Sequence, residues 1–290
     1  MEHWRIGAVG TPVGPGVGRR LWRMSSDRPT FTVVTPSLNQ GQFLERTIRS
    51  VIDQGCPNLE YFVMDAGSTD CSVDIIKRYA DRIDYWVSEP DGGQSAAINA
   101  GWSRGSGEVV AWLNSDDYYL PGSLAAVAAY LQAHQDVMVV YGRGEVVDRQ
   151  GEVLDQLGEP YSRRTMIMSH NVIPQPAAFI RREALDMVGM LDESLHYVMD
   201  MELFLRVGRI NAPRFLDRTL AGMTRHPDAK TSRGRSGMAR ERWQVRLRYA
   251  RPAEVPLLRA GQMASRAFHS LPDWVRDATD RLRRLDLRTG

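Results

Sequence analysis

Between Phe31 and Tyr141 short apolar runs of strand character alternate with segments of helical periodicity, and no other feature limits the fold as tightly. Phe31-Thr32-Val33-Val34-Thr35 is a β-branched run stopped by Pro36, which cannot donate to a sheet ladder. Phe43, Leu44, Ile48, Val51 and Ile52 then recur at helical spacing until Gly55 and Pro57 close the segment. Glu60-Tyr61-Phe62-Val63-Met64 predicts a second strand, and Ser68, Thr69 or Asp70 can cap a helix carrying Val73, Ile75, Ile76 and Tyr79. The cycle repeats with a strand at Asp84–Val87, a helix at Gln94–Trp102, a strand at Val109–Leu113, a helix at Ser123–Leu131 and a strand at Val137–Tyr141. Strands this short and apolar are covered on both faces, which predicts an α/β fold: a mostly parallel, Rossmann-like sheet flanked by helices. With 290 residues, 43% of them apolar, the chain can bury one large domain plus an appendage, and a disordered or fibrous chain is excluded.

The flanks differ from this core. Residues 1–28 hold Gly7, Gly10, Gly14, Gly16 and Gly18 with Pro12 and Pro15 but no periodicity, and are expected to form a flexible arm. Beyond Tyr141 the alternation weakens to a strand at Ala177–Ile180, a helical turn or two at Glu183–Val188 and a helix at Met201–Val207. Residues 238–290 carry 12 basic against 6 acidic residues, are intermittently amphipathic, and are broken by Pro252 and Pro256. They read as a basic helical C-terminal extension, serving as a solvated face or a homodimer contact. A peripheral membrane contact through Trp243 and Trp274 among the arginines is the second reading. The net charge of +2 gives the chain as a whole no reason to bind nucleic acid. No stretch approaches the ~18 apolar residues of a spanning helix, and the N-terminus lacks a signal-peptide core, so the expected location is cytoplasmic, peripheral at the inner face if the extension meets lipid. Cys56 and Cys71 are too few for a zinc site or a disulfide framework and are expected to be reduced thiols.

Three strand exits carry acids: Asp65-Ala66-Gly67-Ser68, Glu89-Pro90-Asp91-Gly92-Gly93-Gln94 and Asn114-Ser115-Asp116-Asp117. In an open parallel sheet, ligands bind beyond these C-terminal ends. One acidic exit can be a simple turn, and Asn114–Asp117 can be read as a helix cap ahead of Pro121, but three on one rim point to a ligand. Adjacent carboxylates are costly to hold together unless a cation lies between them, and as hard oxygen ligands they suit Mg²⁺ or Mn²⁺ bridging to phosphate. No GxxxxGK followed by Ser or Thr is present, and no GxGxxG, which argues against a P-loop or dinucleotide site.

Thr35-Pro36-Ser37-Leu38-Asn39, Asp65-Ala66-Gly67-Ser68-Thr69-Asp70, Glu89-Pro90-Asp91-Gly92-Gly93 and Leu113-Asn114-Ser115-Asp116-Asp117 resemble the ordered motifs of family 2 glycosyltransferases with the GT-A fold. Gln175-Pro176-Ala177 and Asp200-Met201-Glu202-Leu203-Phe204-Leu205-Arg206 resemble that family's acceptor-side segments, and Arg225-His226 through Lys230-Thr231-Ser232 its late basic stretch. The resemblance implies a GT-A domain over residues 29–237, with a nucleotide-sugar half at 29–120 and an acceptor half at 121–237. It implies inverting transfer of a sugar from a nucleotide diphosphate sugar, with uracil expected as the base and thymine or guanine open. The acceptor would be a hydroxyl of a glycan or lipid-linked acceptor.

The same resemblance implies the roles. Asp116, Asp117 and His226 would hold Mn²⁺ or Mg²⁺. Thr35, Pro36, Ser37, Asp65, Asp91, Asn114, Ser115, Asp116, Arg225, Lys230 and Ser232 would bind the donor, and Gln175 would face the acceptor. Asp200 is the expected general base and Glu202 its rival. An acceptor hydroxyl must lose its proton during attack, and a carboxylate on the acceptor side can take it. The sequence departs from the family pattern at Asn114, which replaces the first acid of the DxD motif, and at Met199, which replaces the Glu of the ED motif. Those two departures favour a degenerate nucleotide-binding or scaffolding relative, whereas Asp116, Asp117, Asp200 and His226 oppose it. A nucleotidyltransferase would need a Gly-rich phosphate loop where Pro36–Gln40 stands. Trp86, Trp102 and Trp112 are expected in the core, and a sugar-stacking aromatic in a Tyr118-Tyr119 loop.

Overall fold

β1 (Phe31–Ser37) is buried along its whole length, as a strand with a layer on each side must be. Successive side chains point to opposite faces, so Phe31 and Val33 enter one apolar core and Val34 the other. The computed structural model describes residues 29–230 and 234–269; the expected arm over 1–28 lies outside the described residues.

The elements after β1 follow the predicted alternation. They are α1 (Gly41–Ile52), β2 (Leu59–Asp65), α2 (Ser72–Arg78), β3 (Tyr85–Ser88), α3 (Gln94–Arg104) and β4 (Val109–Trp112). The chain continues through β5 (Asp117–Tyr119), α4 (Ser123–Ala133), β6 (Val139–Val147), β7 (Val153–Leu157), α5 (Arg163–Met168), β8 (Ala178–Arg181) and α6 (Arg182–Val188). It ends with α7 (Met199–Val207), β9 (Arg214–Thr224), α8 (Arg235–Tyr249) and α9 (Val255–His269). α1 turns Phe43, Leu44, Thr47, Ile48 and Val51 inward. Its first amide, Gly41 N–H, is capped from a distance by Asp70 Oδ2 at 2.9 Å rather than by its own N-cap residue.

The sheet order is β3-β2-β1-β4-β8-β6-β9-β5, with β7 paired to β6 off this path. β3, β2, β1 and β4 are mutually parallel, so their C-terminal ends open on one rim. From β8 onward pairing is mixed: β8 runs antiparallel to β4 and β6, β5 antiparallel to β9, and β6 parallel to β9. β7 is a strand the sequence reading does not anticipate. Asp148 Oδ1 accepts the Gln150 and Glu152 amides at 2.9 Å each and Gly151 takes φ 90°, which closes the β6–β7 hairpin.

The C-terminal helices pack back onto the body. Val245 and Tyr249 of α8 and Leu258 of α9 are buried in the same core cluster as α7. Arg163 donates to both oxygens of Glu254 at 3.0 Å each and to the Tyr249 carbonyl at 2.6 Å. The Arg163 guanidinium holds the Glu254 carboxyl down at about 2. α8 runs without a break across the expected boundary at 237/238. Among the described residues no helix is long and apolar enough to cross a membrane.

Candidate active site

A cleft of about 810 Å³ lies over the rim of the parallel strands and extends between α3, α7 and α8. Pro36, Ser37, Asp91, Asn114, Ser115, Asp116, Asp117, Gln175, Asp200 and Lys230 line it, which brings together most of the residues singled out from sequence.

Not all of them reach it. Thr35 shares a face of β1 with Phe31 and Val33, and Asp65 shares a face of β2 with Tyr61 and Val63. Both are buried beneath the cleft. The Thr35 hydroxyl hydrogen-bonds the Tyr61 hydroxyl at 3.0 Å. Asp65 Oδ2 accepts Ser68 N–H at 2.8 Å and Ser88 Oγ–H at 2.7 Å, and its Oδ1 accepts Ser68 Oγ–H at 2.5 Å. Asp65 thus braces the turn at Gly67, φ 80°, and lies outside the cleft lining. Arg225 is exposed and outside the cleft lining, and Ser232 lies outside the described residues.

The loop after β4 is built from α1. Thr47 Oγ1 contacts the carbonyls of Ser115 and Asp117 at 2.9 and 2.6 Å. Arg46 donates to the Asp116 carbonyl at 3.3 Å and to Thr224 Oγ1, while its guanidinium stacks 4.3 Å over the Tyr118 ring. This fixes the Asp116 side chain against His226, whose Nε2 lies 3.0 Å from Asp116 Oδ2 and whose ring packs on Phe43. Tyr118 and Tyr119 belong to strand β5, paired with β9, and Tyr119 is buried in the core. The expected sugar-stacking loop is absent there; the aromatic ring lining the cleft from a loop is Tyr197.

Asn114 ties a chain of amides across the floor. Its Oδ1 accepts Gln94 Nε2–H at 2.7 Å, and its Nδ2 donates to Asp117 Oδ2 and Gln175 Oε1 at 3.1 Å each. Gln175 Nε2 in turn donates to the Trp112 carbonyl at 2.8 Å, and Lys230 Nζ to Gln94 Oε1 at 2.7 Å. Burial first, and then the neighbouring Asp116 charge, push the Asp117 carboxyl well above the usual carboxylate range. Among the described residues no three His, Cys, Asp or Glu side chains form a cage that could hold a metal. Of the expected trio, Asp116 and Asp117 line the cleft, Asp117 turned to Asn114 and the Thr224 backbone, whereas the His226 side chain is buried outside the lining, behind Asp116.

Asp200 stands in the first turn of α7 and accepts Asn171 Nδ2–H at 3.0 Å. Burial raises its carboxyl to about 6, against the opposing pull of the Met201 amide and the Arg242 charge. Glu202, its rival, faces the other way, as two helix positions apart require. It is 3% exposed, accepts Arg206 Nη2–H at 2.9 Å and the Tyr249 hydroxyl, and so anchors α8 to α7. The structure adds Gln94, Asn171, Tyr197 and Arg242 to the lining. Of these, Gln94 closes the Glu89–Gln94 strand exit, and Arg242 left a helical signal: Met238, Arg242, Val245 and Tyr249 share one stripe.

Comparison with known proteins identifies the family and the fold. Residues 32–188 match the family described as Glycosyl transferase family 2. A Mycobacterium tuberculosis protein named only as an uncharacterized glycosyltransferase is 30% identical over 211 residues, which is 69% of this chain and 80% of the relative. Bacillus subtilis TuaG, a glycosyltransferase assigned to teichuronic acid biosynthesis, is 37% identical over 97 residues, 32% of this chain and 38% of its own. Among solved structures, Pyrobaculum calidifontis mannosyltransferase PcManGT in complex with GDP-Man and Mn²⁺ superposes with a TM-score of 0.60 at 18% identity, covering 92% of this chain and 84% of that one. S. aureus TarS 1–349 in complex with UDP-GlcNAc gives 0.57 at 21% identity, covering 70% of this chain and 61% of that one. The architecture is the GT-A fold of these neighbours: a mixed, mostly parallel sheet flanked by helices, with a helical C-terminal region.

Proposed function

Because the chain belongs to glycosyl transferase family 2, we propose that it moves a sugar from a nucleotide diphosphate sugar, uridine-linked in the first instance, to an acceptor hydroxyl with inversion. Polysaccharide, glycolipid or lipid-linked glycan synthesis is the setting this reading gives it, supported by its similarity to TuaG. One observation carries the reading. A single cleft is lined by Asp116 at the strand rim, with His226 packed behind it, and by Asp200, with its carboxyl raised to about 6, on the facing helix.

Each group meets a demand of a single displacement. Pro36, Ser37, Asp91 and Ser115 contact the nucleotide sugar along the rim, and Lys230 offsets charge on the diphosphate. Asp116 and His226, one carboxylate and one imidazole side by side, are the side chains that would hold a Mn²⁺ or Mg²⁺ here. Such an ion, when bound, neutralises the charge that develops on the leaving diphosphate. Asp200 takes the acceptor proton, and its raised pKa brings it nearer to the match with operating pH that general-base catalysis favours. Gln175, pinned between Trp112 and Asn114, forms the floor against which sugar and acceptor are aligned. In this reading the catalytic unit extends past residue 237, since Arg242 lines the same cleft.

Incubation with UDP-, dTDP- and GDP-sugars, with and without Mn²⁺, tests the reading by nucleotide release in the presence and absence of acceptor glycans. One donor should give metal-dependent, acceptor-stimulated release, and Asp200→Asn should remove the stimulation while leaving nucleotide affinity in place. Absence of any metal-dependent thermal shift with nucleotide diphosphates would favour a scaffolding relative instead.

A further inference from the structure

The transfer chemistry described above leaves one cation at the acceptor end without a task. Met238, Arg242, Val245 and Tyr249 follow one stripe of α8, where Val245 and Tyr249 are buried and Met238 packs on the same core. Arg242 sits on that inward stripe and lines the cleft. Among the described residues its hydrogen bond is from Nη2 to Met238 Sδ, at 3.0 Å, and no carboxylate lies within ion-pair distance of it.

The neighbouring charges do not satisfy it. Glu241, the next residue, spends both oxygens on backbone amides, accepting His196 N–H at 3.0 Å and Tyr197 N–H at 2.7 Å. Arg246, one turn further, adds a like charge, and its guanidinium is committed to the Ser169 carbonyl. Lys230 approaches the same end and senses Asp200 and Glu241. Asp200 senses the Arg242 charge but does not pair with it. A partly sheltered guanidinium with no anionic partner is costly, and its fork of donors suits a carboxylate or phosphate held bidentately.

We propose that Arg242 binds an anionic group, phosphate or carboxylate, carried by the acceptor close to the hydroxyl that attacks. The inference rests on the glycosyltransferase reading and on Asp200 as the base. Without Arg242 such an acceptor would face the Asp200 carboxylate and the donor diphosphate with Lys230, already bonded to Gln94, to offset them. With it, the anion fixes which hydroxyl faces the base.

The test is an acceptor panel with the full chain and its best donor. Methyl glycosides of glucose, galactose and mannose are compared with their uronate and phosphate-ester counterparts. Wild type should favour one anionic series over its neutral counterpart by about tenfold to a hundredfold in kcat/KM, the range expected for a charge-assisted hydrogen bond. The preferred arm, uronate or phosphate ester, identifies the anion. Arg242→Gln should level the preference through acceptor KM without weakening nucleotide binding, and Arg242→Lys should restore part of it. Transfer with equal kcat/KM for neutral and anionic acceptors would overturn the inference and leave the glycosyltransferase reading standing. A loss of nucleotide affinity in Arg242→Gln would overturn it too, by moving Arg242 to the donor. Absence of transfer or donor hydrolysis with every donor would sink both.

Discussion

Asp200→Asn should disable transfer and stabilise the protein, and the second effect can be worked from the structure. Burial holds the carboxyl at about 6 in the folded chain against an ordinary 3.8, so the native state binds a proton more tightly than the unfolded one. The sign follows from linkage: stability contributed by that proton is full below pH ~4 and is lost as pH rises through ~6. The wild-type penalty is therefore about 0.5 kcal/mol at pH 4 and about 3 kcal/mol at pH 8, an upper value because Asp200 is only partly enclosed. Asparagine carries no charge and its Oδ1 can still accept Asn171 Nδ2–H, so the variant escapes the penalty. Urea unfolding of both proteins at pH 4, 6 and 8 should show a gap that widens with pH in favour of Asp200→Asn. A gap independent of pH, or a variant weaker than wild type at pH 8, would refute the claim that the fold holds this carboxyl against its preference.

The same carboxyl should set the acid limb of kcat/KM, with activity rising through an apparent pKa near 6 as Asp200 loses its proton. Asn171→Ala removes a donor to the charged form, so the limb should move up by about one pH unit and activity should return at higher pH. Asp116→Asn and His226→Gln should each weaken Mn²⁺-dependent nucleotide binding about tenfold or more, read by titration calorimetry, with little change in the metal-free affinity. Tyr249→Phe strips a hydroxyl from buried Glu202 and should cost about 1–3 kcal/mol in denaturant unfolding while the nucleotide Kd stays put.

How much of this is legible in sequence depends on whether the signal is local. The first four strands are legible because each is a short apolar run next to segments of helical period, and β1 to β4 take their place in a parallel rim as that pattern requires. The mixed second half is not, since β8 and β9 owe their pairing to partners far along the chain. Asp65 shows the limit at the site. Its position after β2 puts it on the rim, but the register brings Ser88 beside it, and the hydroxyls of Ser88 and Ser68 close over it. Arg242 shows the opposite failure. An arginine-rich segment read by composition suggests a solvated face, whereas its spacing from Met238, Val245 and Tyr249 already places it inward.

Asn114 is the residue where sequence and structure explain each other. A carboxylate there would offer lone pairs to Asp117 Oδ2 and Gln175 Oε1, both of which are acceptors that now receive Asn114 Nδ2 at 3.1 Å. It would do so beside an Asp117 carboxyl that burial and the Asp116 charge already drive toward its protonated form. A third acid in this loop would add repulsion, with the Gln94 amide as its donor. The amide supplies what the position needs, one acceptor for Gln94 and two donors for Asp117 and Gln175. The departure from the two-acid motif therefore moves the first motif position from holding charge to holding geometry. Asp116 is left to line the cleft with His226 packed behind it, and the floor becomes a network of amides.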